Sequence, residues 1–182
     1  MTKRIIAIVL VLAMSVCLAS CSDAGATVSS AASSMADSVK SFIKGDVTGV
    51  LNKEYSTQWF DFTVHSIKTA YEYKEYEAES GWKFVIVNVS ETNTFGEPIP
   101  MSVWDFQLFG DGIEEEDTWG LEPFDDVENN MMPAEFYLED GEEVNYDVVF
   151  VIHDEVTDVS FVYLEIADDD STYATFTVKH SL

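Results

Sequence analysis

Trp82-Lys83-Phe84-Val85-Ile86-Val87-Asn88-Val89-Ser90-Glu91-Thr92-Asn93 decides the fold of this chain. Its β-branched and aromatic residues fall on both parities, the pattern of a strand covered on two faces. From about residue 55 onward, shorter runs of the same character alternate with turn signals, which predicts an all-β sandwich wrapped around that centre. Before it, Phe60, Phe62 and Val64 share one parity against Asp61, Thr63 and His65, a half-buried strand. Tyr71 to Ser80, polar and rich in Tyr and Glu, reads as a connection or edge hairpin.

Downstream, Asn93 to Pro100 carries two prolines and reads as a long turn. Trp104, Phe106 and Leu108 alternate with Asp105 and Gln107 as a strand, and Asp111 to Asn130 is an acidic excursion. Asp140-Gly141 signals a two-residue hairpin between a strand with Phe136 and Leu138 and the clearest alternation in the chain, Val144 to Ile152. There Val148 and Phe150 are expected in the core and Asp147 in water. Two last strands, Val159 to Ile166 and Thr172 to Val178, flank Asp168-Asp169-Asp170-Ser171.

The N-terminal third is of another kind. Lys3 and Arg4 precede an apolar run, Ile5 to Val16, too short for an ordinary membrane span, so residues 1–20 read as an export signal. The run ends in Leu18-Ala19-Ser20-Cys21, which resembles a bacterial lipobox and makes Cys21 the predicted lipidation site and mature N-terminus. Residues 21–34 are Ser, Ala, Gly and Thr with little else, a tether of about 20 Å. Over 35–51, Met35, Val39, Phe42 and Ile43 recur at helical spacing, with Val47, Val50 and Leu51 continuing the stripe, which predicts a short amphipathic helix. The β-domain is then 55–182. Cys17 lies in the discarded run, so the mature chain is predicted to carry no internal disulfide.

In 182 residues, 47% hydrophobic and 13% aromatic, there is material for a real core. Asp and Glu number 34 against 9 Lys and Arg, a formal charge of −25, which repels phosphate backbones and argues against nucleic acid. The same field suits a cationic peptide, a basic protein or a metal ion, or simply keeps a surface protein soluble; the partner itself is expected to be a protein or a cell-wall component.

The motifs of catalysis are missing from the sequence. It contains no Gly-x-Ser-x-Gly elbow and no phosphate-loop pattern, and the one mature cysteine is the proposed lipid site. His65, His153 and His180 are far apart and read as surface histidines. So many acids make close carboxylate pairs inevitable, so pairing alone identifies no hydrolase. Asp168, Asp169 and Asp170, and the run Asp111 to Asp117, offer oxygen ligands for calcium, without a complete EF-hand loop. Trp59, Trp82 and Trp104 fall in strand patterns and read as core; Trp119 with Met131 and Met132 falls in the irregular segment and reads as an exposed contact patch.

The succession Trp59 to Val64, Gly81 to Val89 leading to Asn93, Leu138-Glu139-Asp140-Gly141-Glu142 and Val149-Phe150-Val151 resembles the bacterial domain of unknown function 4352. The resemblance covers roughly 55 to 180 and implies an immunoglobulin-like sandwich, related to a mycobacterial secreted immunoprotective antigen, in lipoproteins of Gram-positive bacteria. It supplies no catalytic motif. The expectation is therefore a lipid-anchored module on the extracellular face of the bacterial membrane, non-catalytic and without a cofactor, that binds another surface or secreted component. A calcium-binding module and, further off, a carboxylate-based extracellular hydrolase are the competing readings.

Overall fold

The computed structural model describes residues 45–124, 129–166 and 172–182. Every described residue lies in one unit, Lys40–Leu182. In chain order its strands are β1 (Gly45–Gly49), β2 (Glu54–Ser56), β3 (Phe60–Ala70), β4 (Glu72–Tyr73), β5 (Tyr76–Glu77), β6 (Trp82–Asn93), β7 (Ile99–Met101), β8 (Phe106–Phe109), β9 (Phe136–Leu138), β10 (Glu143–His153), β11 (Asp158–Ile166) and β12 (Thr172–Ser181). One four-stranded sheet runs β10-β6-β3-β2 and the other β1-β12-β11-β8; β4-β5 and β7-β9 form two-stranded ribbons. The chain is a β-sandwich.

β6 is central to its sheet, pairing antiparallel with β3 along one edge and β10 along the other. Its inward residues Val85, Val87 and Val89 join the main core, which Phe60, Phe62, Phe106, Phe150, Phe161 and Phe176 fill from both sheets. Rings meet across the interface: Phe60 lies 5.1 Å from Tyr163, Phe62 5.6 Å from Phe176 and Phe150 6.2 Å from Phe161. On the opposite parity, Phe84 is buried with Tyr73, Met131 and Val149 in a second cluster, against which Ile86, Tyr76, Leu121 and Phe124 pack. The two-sided hydrophobicity of the start of the quoted stretch thus has a physical cause, since the β4-β5 hairpin with Leu121, Phe124 and Met131 covers Phe84 and Ile86 on the outer face.

Parity changes once along β3. The register with β6 shifts between Val64 and Ser66, so His65 sits at a bulge and the next inward residue is Ile67 rather than Ser66. In β10, Val148 and Phe150 are buried as their parity requires. Asp147 is not a water-facing residue, however: it is half-buried and accepts hydrogen bonds from Tyr73 Oη (3.1 Å) and Asn88 Nδ2 (2.8 Å). Burial, followed by the Asp147 charge, raises the Tyr73 phenol above its usual range.

Four expectations need correction. The predicted helix over 35–51 gives way at its C-terminal end to β1, which pairs in parallel with β12 from Gly45↔Ala174 to Gly49↔Val178; its first ten residues lie outside the described ones. Gly49 explains the preference, because a Cβ there would stand 2.8 Å from Val178 Cγ2, and glycine is both a poor helix former and small enough for this approach. The sandwich therefore takes in residues ahead of the predicted start at 55. Trp104 belongs to a 3₁₀ turn, Val103–Asp105, capped by Ser102, and is 40% exposed rather than core. Finally, Asp140-Gly141 is a turn, with Gly141 at φ +72° and Glu142 N donating to Glu139 O (2.9 Å), but the strands it joins do not pair. β9 pairs with β7, β10 with β6, and the Glu142 carboxylate accepts from Glu139 N (2.9 Å).

The packing sets an expectation for stability. Phe150→Ala removes a fully buried ring from the interface and should cost about 3–5 kcal/mol in a urea melt, whereas Lys68→Ala, exposed on β3, should stay within about 0.5 kcal/mol. Similar costs for the two would place β10 in the wrong register.

Candidate functional site

The sandwich core is not apolar throughout. At the end of β6 the inward row Val85, Val87, Val89 continues into Glu91 and Asn93, and in β11 the row Val159, Phe161, Tyr163 continues into Glu165. Glu91 and Glu165 are each 1% exposed. Among the described residues neither Glu91 oxygen has a hydrogen-bond partner; Glu165 Oε1 accepts from Gln58 N (2.6 Å) while its Oε2 has none there.

Three carboxyls and a phenol share this end. Burial, and then the charge of Asp105, push the Glu91 carboxyl up to about 8. Burial also raises Asp105, although the Ser102 amide opposes it by donating to Oδ2 (2.7 Å). Glu165 is raised by burial, and the Tyr163 hydroxyl by burial and then by Glu165, Asp105 and Glu91. At neutral pH Glu91 is therefore mostly a neutral carboxylic acid, because a charge there would face a low-dielectric wall and another acid.

Beside this cluster opens an apolar groove of about 400 Å³, with Trp59, Phe95, Pro98, Pro100, Leu164 and Ile166 along its walls and Asp105 at its polar edge. Buried Asn93 shapes one wall: its Oδ1 accepts from Phe95 N (2.8 Å) and its Nδ2 donates to Glu97 O and Leu138 O (both 2.8 Å). Thr57 Oγ1 accepts from Trp59 N (3.1 Å) and Phe60 N (3.0 Å), fixing the other side, and the Trp59 and Phe95 rings meet at 4.6 Å. Phe95, Leu164 and Ile166 remain exposed. Glu91 and Glu165 lie outside the groove lining, which leaves Asp105 as the acid in direct contact with it among the described residues.

The sequence-derived sites are placed differently. Trp119 is 43% exposed, as expected, but Met131 and Met132 are buried, so the contact patch of Trp119, Met131 and Met132 does not exist. Met131 bridges to Asp147 of β10 and Met132 N donates to Asp147 O; consecutive residues beside a sheet point to opposite faces, sending Met131 into the outer cluster and Met132 into the core. Asp168, Asp169 and Asp170 and Cys21 lie outside the described residues. Among the described residues no three His, Cys, Asp or Glu converge as a metal ion requires, and Asp111 to Asp117 do not do so. His65 Nε2 meets Ser90 Oγ (2.7 Å) and His153 stacks on Trp82 at 3.9 Å. Parity would have singled out Glu91 and Glu165 among 34 acids, since both continue rows of inward residues.

No family model and no curated protein matches the chain. Among solved structures it is similar to ycdA of Bacillus subtilis, a candidate lipoprotein, at 18% identity and a TM-score of 0.51 over 70% of this chain; the match spans 38% of that protein's length. An uncharacterized β-sandwich protein from Clostridium difficile 630 aligns at 13% identity and a TM-score of 0.46, over 78% of this chain and 99% of the other. The yjhA protein of Bacillus subtilis aligns at 16% identity and 0.46, over 71% and 97%. At these identities the likeness concerns the fold. No helix among the described residues is long and apolar enough to cross a membrane.

A pH dependence follows from Glu91. Its folded form holds the proton more tightly than the unfolded chain, so it favours the fold fully below about pH 4.5, and that contribution is lost as pH rises towards about 8. Glu91→Gln should therefore flatten the fall in stability between pH 5 and 8, by at most about 1.4 kcal/mol per pH unit. Parallel urea-derived stability curves for the two proteins across that range would remove Glu91 as the titrating group.

Proposed function

We propose that this protein is an exported lipoprotein, anchored through Cys21, whose acidic sandwich binds another surface or secreted component and has no catalysis of its own. The groove beside Trp59 and Phe95 carries the reading: a pre-formed apolar recess with exposed Phe95, Leu164 and Ile166, on a chain of charge −25, suits a basic segment with an apolar tip. Leu18-Ala19-Ser20-Cys21 supports the anchor, and the resemblance to the domain of unknown function 4352 supports a surface setting.

A carboxylate-based hydrolase is the second reading, favoured by raised carboxyls close to a groove. It is the weaker one, because glycoside hydrolysis takes two acids flanking the scissile bond, and among the described residues Asp105 lines the groove without a second acid. Calcium at Asp168, Asp169 and Asp170 would be an addition to the binding reading rather than its basis.

Two measurements test the proposal. Intact mass of membrane-extracted protein should show a chain starting at lipid-bearing Cys21, and Cys21→Ala should release the protein from the membrane fraction; an unlipidated native chain beginning elsewhere would refute the anchor. A photo-crosslinking residue at position 95 should capture a discrete partner in intact cells, with capture lost in Ile166→Asp and absent when the crosslinker is at position 68. Equal capture from both positions would refute the groove as the binding face.

A further inference from the structure

At the far end of β6 from the groove, roughly 30 Å away along the strand, the outer face carries a second recess. Its volume is about 370 Å³, within the range of small-molecule sites, and Tyr76, Trp82, Phe84 and Phe124 bring aromatic surface to it. Tyr76 and Phe124 stack at 3.8 Å, and the Trp82 ring is held by stacking on His153. These rings come from three separate pieces of chain: Tyr76 from the β4-β5 hairpin, Trp82 from β6 and Phe124 from the stretch that follows Leu121. All three remain half-buried, so each keeps accessible ring surface although Tyr76 and Phe124 also pack against the second core cluster.

The polar members of the recess are acidic. Glu77 and Glu79 stand exposed at its rim and Asp117 is half-buried, while no lysine or arginine lines it among the described residues. An apolar pocket intended for a neutral ligand gains nothing from three carboxylates. Aromatic surface presents negative electrostatic potential on its faces and attracts a poorly hydrated cation, and nearby carboxylates add to that attraction without needing contact.

We propose that this recess, formed by Tyr76, Trp82 and Phe124 with Glu77, Glu79 and Asp117, binds a small organic ammonium group. A quaternary or heavily alkylated nitrogen fits it best, because its charge is spread over apolar methyls that match an aromatic wall. The site is independent of the groove near Trp59, and either reading can fail without the other.

The test compares choline with 3,3-dimethylbutan-1-ol, its uncharged isostere, by following the Trp82 indole N–H in NMR titrations of the full chain, with sodium chloride holding ionic strength constant. Choline should produce a saturable shift and the neutral alcohol should bind at least about tenfold more weakly. Phe124→Leu, which keeps apolar bulk and removes the ring, should weaken choline about tenfold without lowering the melting temperature by more than a few degrees. The double variant Glu77→Gln, Glu79→Gln, both at exposed positions, should weaken it less and reduce its salt dependence. Should Phe124→Leu unfold the protein, this double variant carries the test. Equal binding of the two ligands, a choline shift reproduced by sodium chloride, or choline binding unchanged in folded variants would overturn the proposal.

Discussion

The burial of β6 along its whole inner face, and of Phe84 on its outer face, is the constraint on which the other elements depend. A strand paired along both edges has no backbone donors left for solvent, and valine along one face with Phe84 and Ile86 at the start of the other leaves its first half little apolar surface to expose. Asn88, Ser90 and Thr92 finish the outer face as half-buried polar residues. A second sheet must cover the inner face, and something other than a sheet must cover the outer one. The β4-β5 hairpin and the side chains of Leu121, Phe124 and Met131 meet that need over Phe84. Chain without disulfides in its described part is held by this layered packing and by the two long ladders of β6.

Placing acids at one end of that core has a cost that packing alone does not explain. Buried carboxyls without partners are unfavourable when charged, and here the response is protonation rather than pairing, so Glu91 remains neutral over much of the physiological range. Asp105 behaves differently because its capping bond to the Ser102 amide stabilises the charged form while burial opposes it. The result is a polar core end directly behind an apolar groove, the reverse of the usual arrangement of dry interior and wet surface. This juxtaposition distinguishes the end of the sandwich near Asn93 from the end near Trp82, where aromatic rings sit among exposed carboxylates.

Local alternation identified β3 and β10, and runs of β-branched and aromatic residues identified β6, β11 and β12, since patterns carried by contiguous residues survive whatever the strands pair with. It was misleading where a short motif has two outcomes. Trp104 continues the parity of Phe106 and Leu108, yet a Ser102–Asp105 capping box turns the chain through a 3₁₀ step first. Asp140-Gly141 makes its turn, but pairing was decided by β7 and β6, which are distant in sequence from that turn. Met131-Met132 looked exposed because its neighbours are irregular; a single bridge to β10 placed one side chain in each core.

The sequence by itself determined that the chain is an acidic β-sandwich organised on residues 82–93, because strand parity and hydrophobic content are properties of contiguous residues. It also held the signal for the buried acids, since Glu91 and Glu165 follow rows of inward valines and aromatics. Only the tertiary structure decided what those rows meet: that three carboxyls from β6, β11 and the turn before β8 converge beside one groove, and that aromatics from a hairpin, a strand and a loop assemble at the opposite end. Convergence of that kind depends on which strand lies beside which and on which turn reverses the chain, and long-range pairing leaves no periodic trace in the residues that it brings together.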